Sequence, residues 1–290
     1  MKYGIYYAFW EKEWNNNFAP YVKKCSDLGF DVLEVACGAF HELEDSVFVE
    51  LKQMAEENHM LLSGGYGPRK EHNLAAIDAA SVKATMKFYE DMFRKMKLAG
   101  IDRIGGALYS YWPVNFAAGI DKPGDWKRSV AGMRELADLA ADYDVTLNME
   151  VLNRFEGYLL NEASEGLAYV KEVDRPNVKL MLDTFHMNIE ETSIIDAILG
   201  SEGYLGHFHV GEANRRCPEP GGRFSWEEIG AALNKINYDG YVIMEPFVKM
   251  GGQVGSDIHL WRDLSNNADE AEMDAMAGKS VAYLRQVMEK

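Results

Sequence analysis

Cysteine is scarce in this chain. The three among 290 residues, Cys25, Cys37 and Cys217, are odd in number and widely spaced. They offer neither a disulfide framework nor a thiolate pair for structural zinc, which fits a reducing compartment. An excess of positive charge is also missing: 30 Lys and Arg stand against 46 Asp and Glu, for a formal net charge of −16. Without a basic face, nucleic acid is not the expected partner. No apolar run approaches the roughly 20 residues of a membrane-spanning helix. The start, MKYGIYYAF, enters a strand-like run without signal-peptide architecture, so a cytoplasmic protein without membrane partners is the expectation. No G-x-G-x-x-G fingerprint follows that run, which removes the main signature of a doubly wound dinucleotide-binding sheet. No linker, low-complexity stretch or shift of composition divides the chain.

What is present is alternation. Strand-like runs fall at 3–9, 32–36, 60–63, 102–106, 145–150, 178–183, 204–209 and 241–245, with helix-patterned segments between them. Val82, Met86, Tyr89, Phe93 and Met96 step by four, three, four and three, the spacing of one helix face. Ser225 and Glu228 read as a capping box, and a final helix is expected over 268–290. Eight strand–helix units predict an α/β fold, a closed (β/α)8 TIM barrel, as a single domain over residues 1–290.

In such a barrel, functional residues gather at the C-terminal ends of the strands. Strands five to eight end at Glu150, Asp183, His209 and Glu245. Three carboxylates and one imidazole are an oxygen-rich donor set that favours Mn²⁺ or Co²⁺, with Mg²⁺ acceptable, over a structural zinc. His207 shares strand parity with His209 and is read as a hydrogen-bonded packing residue. The Gly251-Gly252 turn, with Arg215 and Arg216 nearby, leaves a sugar phosphate as a second ligand class.

Six motifs carry a resemblance over nearly the full chain: GIYYAFWEKEW, IGGALYSYWP, MEVLNRFEGYL, MLDTFHMNIEE, GHFHVGEANRR and VIMEPFVKMGG. Together they are similar to the D-tagatose/D-psicose (allulose) 3-epimerase family of xylose-isomerase-like barrels. The resemblance implies metal ligands at Glu150, Asp183, His209 and Glu245, with Glu150 and Glu245 as the catalytic pair. It implies a grip on the O1–O3 end of the sugar by Glu156, His186 and Arg215. Tyr6, Trp112 and Phe247 would form the apolar wall at the far end, with Gly65 and Ala107 as small lining positions. A homodimer or homotetramer is implied as well.

The expected activity is metal-dependent epimerisation of free ketohexoses at C3 (D-psicose/D-fructose, D-tagatose/D-sorbose) through a cis-enediolate, with Arg215 and His186 as cationic donors. Glu150 and Glu245, on strands expected to face each other across the barrel mouth, would serve opposite faces of the sugar. Arg215, past a strand end, is expected to matter for turnover more than for stability. The rivals are an aldose–ketose isomerase on the same barrel, an epimerase of sugar phosphates, a metal-dependent endonuclease and a non-catalytic sugar-binding protein. The acidic chain opposes the endonuclease, and a base for each face opposes mere binding.

Overall fold

The computed structural model describes residues 1–15 and 17–289. Its strands are β1 (Lys2–Tyr6), β2 (Val32–Ala36), β3 (Leu61–Gly65), β4 (Arg103–Gly106), β5 (Thr146–Glu150), β6 (Val178–Asp183), β7 (Leu205–Val210) and β8 (Tyr241–Met244). They pair in parallel and in chain order, and β1 also pairs with β8, closing the barrel. The helices are α1 (Ala19–Asp27), α2 (Asp45–Glu57), α3 (Ala79–Ala99), α4 (Lys122–Ala141), α5 (Ala163–Val173), α6 (Thr184–Glu190), α7 (Ile194–Gly200), α8 (Trp226–Lys235), α9 (Gly252–Asp257) and α10 (Glu270–Met288).

Local chemistry explains the boundaries. Asp78 caps α3 by accepting the N–H groups of Ala80 and Ser81, and Gly100, at φ 73°, ends it. Between those signals Tyr89, Phe93 and Met96 lie fully buried. Ser225 caps α8 by accepting from the Glu228 N–H, while α10 opens on a reciprocal capping box between Asp269 and Glu272. β1 is shorter than its aromatic run because Tyr7–Trp10 turn into a buried 3-10 helix. A short helix, α6, fills the DTFHMN stretch beyond β6, where no helical period is visible.

The strands send alternate side chains to the barrel interior and to the helices. Val32, Tyr241 and Ile243 form a small buried cluster separate from the main core. Two residues on from Val32 along β2 stands the buried Glu34, and two on from Ile243 stands Glu245; His207 lies fully buried on β7, whose register partner on β8 is Tyr241. Parity would fail between β6 and β7 without a bulge. Leu180 pairs with Leu205, but Met181 pairs with His207, leaving Gly206 outside the ladder. A Cβ at Gly206 would stand 2.3 Å from Asn148 Oδ1 and 2.5 Å from Lys179 Cβ, so only glycine fits. At the end of β4, Gly106 adopts φ 133° with its Cα face against the Tyr66 carbonyl, 2.1 Å from where a Cβ would sit.

The strand order qualifies one expectation. β5 and β8 are three steps apart in a ring of eight, one step short of diametrically opposite, with β6 and β7 between them on the shorter side. Glu150 and Glu245 therefore approach one another along an arc, with Asp183 and His209 on the strands between them.

Candidate active site

Four strand ends converge. One ligand atom each from Glu150, Asp183, His209 and Glu245 lies within 4.8 Å of the others. Glu150 is the last residue of β5 and Asp183 the last of β6. His209 lies one residue before the end of β7, and Glu245 directly follows β8. Asp183 divides its two oxygens. Oδ1 accepts the Phe185 N–H at 2.8 Å and so caps α6, while Oδ2 is buried without a hydrogen-bond partner. His209 Nδ1 is likewise buried and unpaired, 3.6 Å from Glu245 Oε2. Leaving buried polar atoms unsatisfied costs about 1–3 kcal/mol each. Two unpaired ligand atoms facing one space, flanked by two more carboxylates, suit a divalent cation once any proton on them is displaced.

The same carboxylates meet Arg215. Its Nη1 lies 2.7 Å from Glu245 Oε2 and 3.6 Å from Asp183 Oδ2, and its Nη2 lies 3.4 Å from Glu156 Oε1. The guanidinium stacks 3.8 Å above the Phe185 ring. Arg215 holds a left-handed φ of 65°, an uncommon conformation for a residue with a Cβ. Its N–H donates to the Glu212 carbonyl and its carbonyl accepts from the Phe247 N–H, which hold that conformation in place. Burial opposes its charge, but Glu156 and Glu245 outweigh burial and keep it cationic.

The paired glutamates are pushed in opposite directions. Burial, then the charge of Glu245, raises the Glu150 carboxyl well above the ordinary carboxylate range. Burial also opposes ionisation of Glu245, but His209 and Arg215 outweigh it and hold its pKa low. Two carboxyl groups set apart in this way are suited to acid and base roles.

His186, in the first turn of α6, differs in charge from the expectation. Its Nδ1 faces two donors, the Asn153 N–H at 3.2 Å and the Asn153 side-chain amide at 2.8 Å. A ring nitrogen that accepts a backbone N–H carries no proton, so the proton sits on Nε2. That atom lies 3.7 Å from Glu150 Oε1 and 3.8 Å from Asp183 Oδ2. Burial lowers its pKa despite Glu156 and Asp183. His186 is therefore a neutral donor into the site, not a cation.

The cavity above these groups is lined by Glu150, Glu156, His186, His209, Arg215, Glu245, Tyr6, Gly65, Ala107, Trp112 and Phe247. Asp183, with 1% exposure, lies beneath it and reaches the cluster from below. Tyr6 and Phe247 meet edge to face at 6.2 Å, and Trp14 packs 6.4 Å from both. The Gly251-Gly252 turn is already engaged. The Gln253 N–H donates to Glu13 Oε2 and the Val254 N–H to the Lys12 carbonyl, each at 3.0 Å. A carboxylate held there repels a phosphate, and Arg216 turns away toward Asn266.

A profile of xylose isomerase-like TIM barrels matches residues 22–272. The D-psicose 3-epimerase of Agrobacterium fabrum is 50% identical over 288 residues, 99% of both chains. The chain belongs to the D-psicose 3-epimerase family of xylose isomerase-like TIM barrels. Another epimerase of that name, from Ruminiclostridium cellulolyticum, is 50% identical across 100% of this chain and 98% of its own. The crystal structure of D-psicose 3-epimerase with D-tagatose from Clostridium cellulolyticum H10 matches with a TM-score of 0.97 at 50% identity, covering 99% of each chain.

Asn153, in the polar stretch that follows Glu150, sets the His186 tautomer from a loop. One residue of the site escapes a reading of the sequence by strand ends. Glu34 lies in the middle of β2, 1% exposed, between His207 and His209. Its one visible signal is a lone carboxylate inside the apolar run VLEVA. His207, read as a hydrogen-bonded packing residue, lies fully buried with Nε2 2.8 Å from Glu34 Oε2, but neither of its ring nitrogens makes a well-formed hydrogen bond.

Proposed function

We propose that this chain is a metal-dependent 3-epimerase of free ketohexoses, with D-psicose and D-fructose as the first pair to test and D-tagatose and D-sorbose as the second. The observation that carries this reading is the pair Glu150 and Glu245, two carboxyl groups at either end of one four-residue cluster able to hold a cation. Glu150, Asp183, His209 and Glu245 would hold the ion, Mn²⁺ or Co²⁺ by preference and Mg²⁺ less well. When bound, the ion supplies Lewis-acid polarisation of the substrate's oxygens.

The residues divide the rest of the chemistry. One glutamate takes the C3 proton from one face of the sugar, and the other delivers a proton to the opposite face. Their roles exchange with the direction of reaction. Inversion requires both, because a single base returns the proton to the face it came from. Arg215 places fixed positive charge beside the developing enediolate, and His186 offers its Nε2–H to a substrate oxygen. Glu156, held by Asn153 and Arg215, is positioned to accept from a sugar hydroxyl. Tyr6, Trp112 and Phe247 bound the far end of the sugar, and Gly65 and Ala107 leave it room.

The occupied Gly251-Gly252 turn favours a free sugar over a sugar phosphate. No described helix is long and apolar enough to cross a membrane, and we place the enzyme in the cytoplasm as one domain spanning residues 1–290. We also propose a homodimer or homotetramer, the assembly that the family resemblance implies. The deciding experiment incubates Mn²⁺-loaded protein with a panel of free ketohexoses and identifies the products. C3 epimers are expected. Aldoses as the only products, or no turnover of any ketose, would overturn the reading.

A further inference from the structure

We propose that Glu34 is a positioning residue for the metal centre: it fixes His209 with the proton on Nε2, so that Nδ1 is presented bare to the ion. This rests on the ligand set proposed above. Glu34 Oε1 lies 2.7 Å from His209 Nε2 in a well-formed hydrogen bond. Its other oxygen, Oε2, accepts from Ser63 Oγ at 2.8 Å and faces His207 Nε2 at 2.8 Å. Both oxygens are therefore committed to neighbours, and the carboxylate is held against rotation on β2, β3 and β7 at once. A carboxylate accepts but does not donate, so the shared proton belongs to the imidazole. The opposite ring nitrogen, Nδ1, is the atom left buried and unpaired toward Glu245. A carboxylate behind a metal-bound imidazole sets both the tautomer and the basicity of the ligand.

Glu34, His207 and His209 are also close enough to hold an ion among themselves. The distances oppose that. Two donors on one ion at about 2.1 Å each stand roughly 3.0–3.4 Å apart at tetrahedral or octahedral angles, whereas Glu34 stands 2.7 and 2.8 Å from the two imidazoles. The Glu34–His209 pair is a formed hydrogen bond, with room for a proton and not for an ion, and the Glu34–His207 approach is a close contact without hydrogen-bond geometry. The single charge of Glu34 thus serves the centre from behind His209 without itself joining it.

The test is Mn²⁺ titration by calorimetry on wild-type protein, Glu34→Gln and Asp183→Asn, each first stripped of metal. One Mn²⁺ per wild-type chain is expected, with an affinity about 10–100-fold weaker in Glu34→Gln and weaker still in Asp183→Asn. An unchanged Kd in Glu34→Gln beside a weakened Asp183→Asn overturns the role of Glu34 alone. An unchanged Kd in Asp183→Asn overturns the ligand set on which it rests. A second ion per chain that disappears with Glu34→Gln makes Glu34 a ligand and also overturns the proposal. Should Glu34→Gln not fold, ¹⁵N-histidine NMR of the Mg²⁺-loaded wild type reads the tautomer directly. His209, assigned as the ring whose signals are missing from His209→Asn, must carry its proton on Nε2; a proton on Nδ1 rejects the assignment.

Discussion

Asp183 is the register partner of His209 only because Gly206 stands outside the ladder between β6 and β7. Continued from the Leu180–Leu205 pair without that bulge, the register would set Asp183 beside Phe208 and turn His209 off the centre. Bulges re-aim side chains in this way beside functional sites. Gly206→Ala forces a methyl group onto Asn148 Oδ1 and Lys179 Cβ. Overpacking of this kind costs about 1–3 kcal/mol. The variant should lose that much stability in a denaturant melt and bind Mn²⁺ more weakly. Wild-type metal affinity in a stable variant would mean that the bulge does not place His209.

That relationship also marks where sequence reasoning stops. The runs VLEVA and VKLMLD became β2 and β6 with the expected limits, because continuous apolar runs between helices leave a parallel strand few alternatives. The four strand-end side chains were legible for the same reason: position in a barrel is set by topology. A bulge is not a compositional feature, so one glycine in LGHFHV looks like ordinary strand. Nor did DTFHMN announce α6, whose start depends on Asp183 capping a turn that also has to present His186. Glu34 was hidden because its importance comes from β7, 175 residues away.

Metal removal should abolish turnover, and Mn²⁺ or Co²⁺ should restore it best. The pH dependence has a definite sign. Glu150 is raised from an ordinary 4.5 by burial and by Glu245. Burial opposes the charge on His209, but Glu34 and Glu245 outweigh it and raise it from an ordinary 6.5. Groups with raised folded-state pKa values stabilise the metal-free protein fully below their unfolded values, and that contribution is lost as pH rises through the folded ones. The ion must displace those same protons, so its binding strengthens as pH rises. The increase in Tm on adding Mn²⁺ to stripped protein should therefore be larger at about pH 8 than at about pH 6. An increment that shrinks over this interval would contradict the assignment of these two groups as ligands.

Arg215 was expected to bear on turnover with little effect on stability. Burial changes the second half of that expectation. The side chain is 7% exposed and faces Glu156, Asp183 and Glu245. Removing one member of a buried ionic cluster costs about 3–5 kcal/mol when the remaining charges are left uncompensated. Arg215→Ala should lower the Tm of stripped protein clearly, and Mn²⁺ should recover part of the loss by neutralising the same carboxylates. Turnover of the metal-loaded variant should fall about 10²–10³-fold. Arg215→Lys keeps the charge but gives up the planar stack on Phe185, so it should recover stability more than rate. Near-normal kinetics in Arg215→Ala would remove the residue from the mechanism.

The carbon that reacts separates an epimerase from an isomerase on the same barrel. An isomerase moves a proton between C1 and C2 on one face and needs one base. Glu150 and Glu245 stand three strands apart around the barrel, with Asp183 and His209 on the two strands between them, so a sugar held over the cluster has a carboxyl group at each flank. D-fructose incubated with loaded protein in D₂O should gain deuterium at C3, both in the remaining fructose and in the psicose formed, and none at C1. Glu150→Gln and Glu245→Gln should each nearly abolish net epimerisation, since a full turnover uses both faces. A variant that still binds metal should retain exchange at C3 from its surviving face, provided that carboxyl group exchanges its proton with solvent. NMR of the products distinguishes these outcomes by position. Deuterium at C1 with an aldose as product would assign the chemistry to C1 and C2 and leave the second glutamate as a metal ligand only.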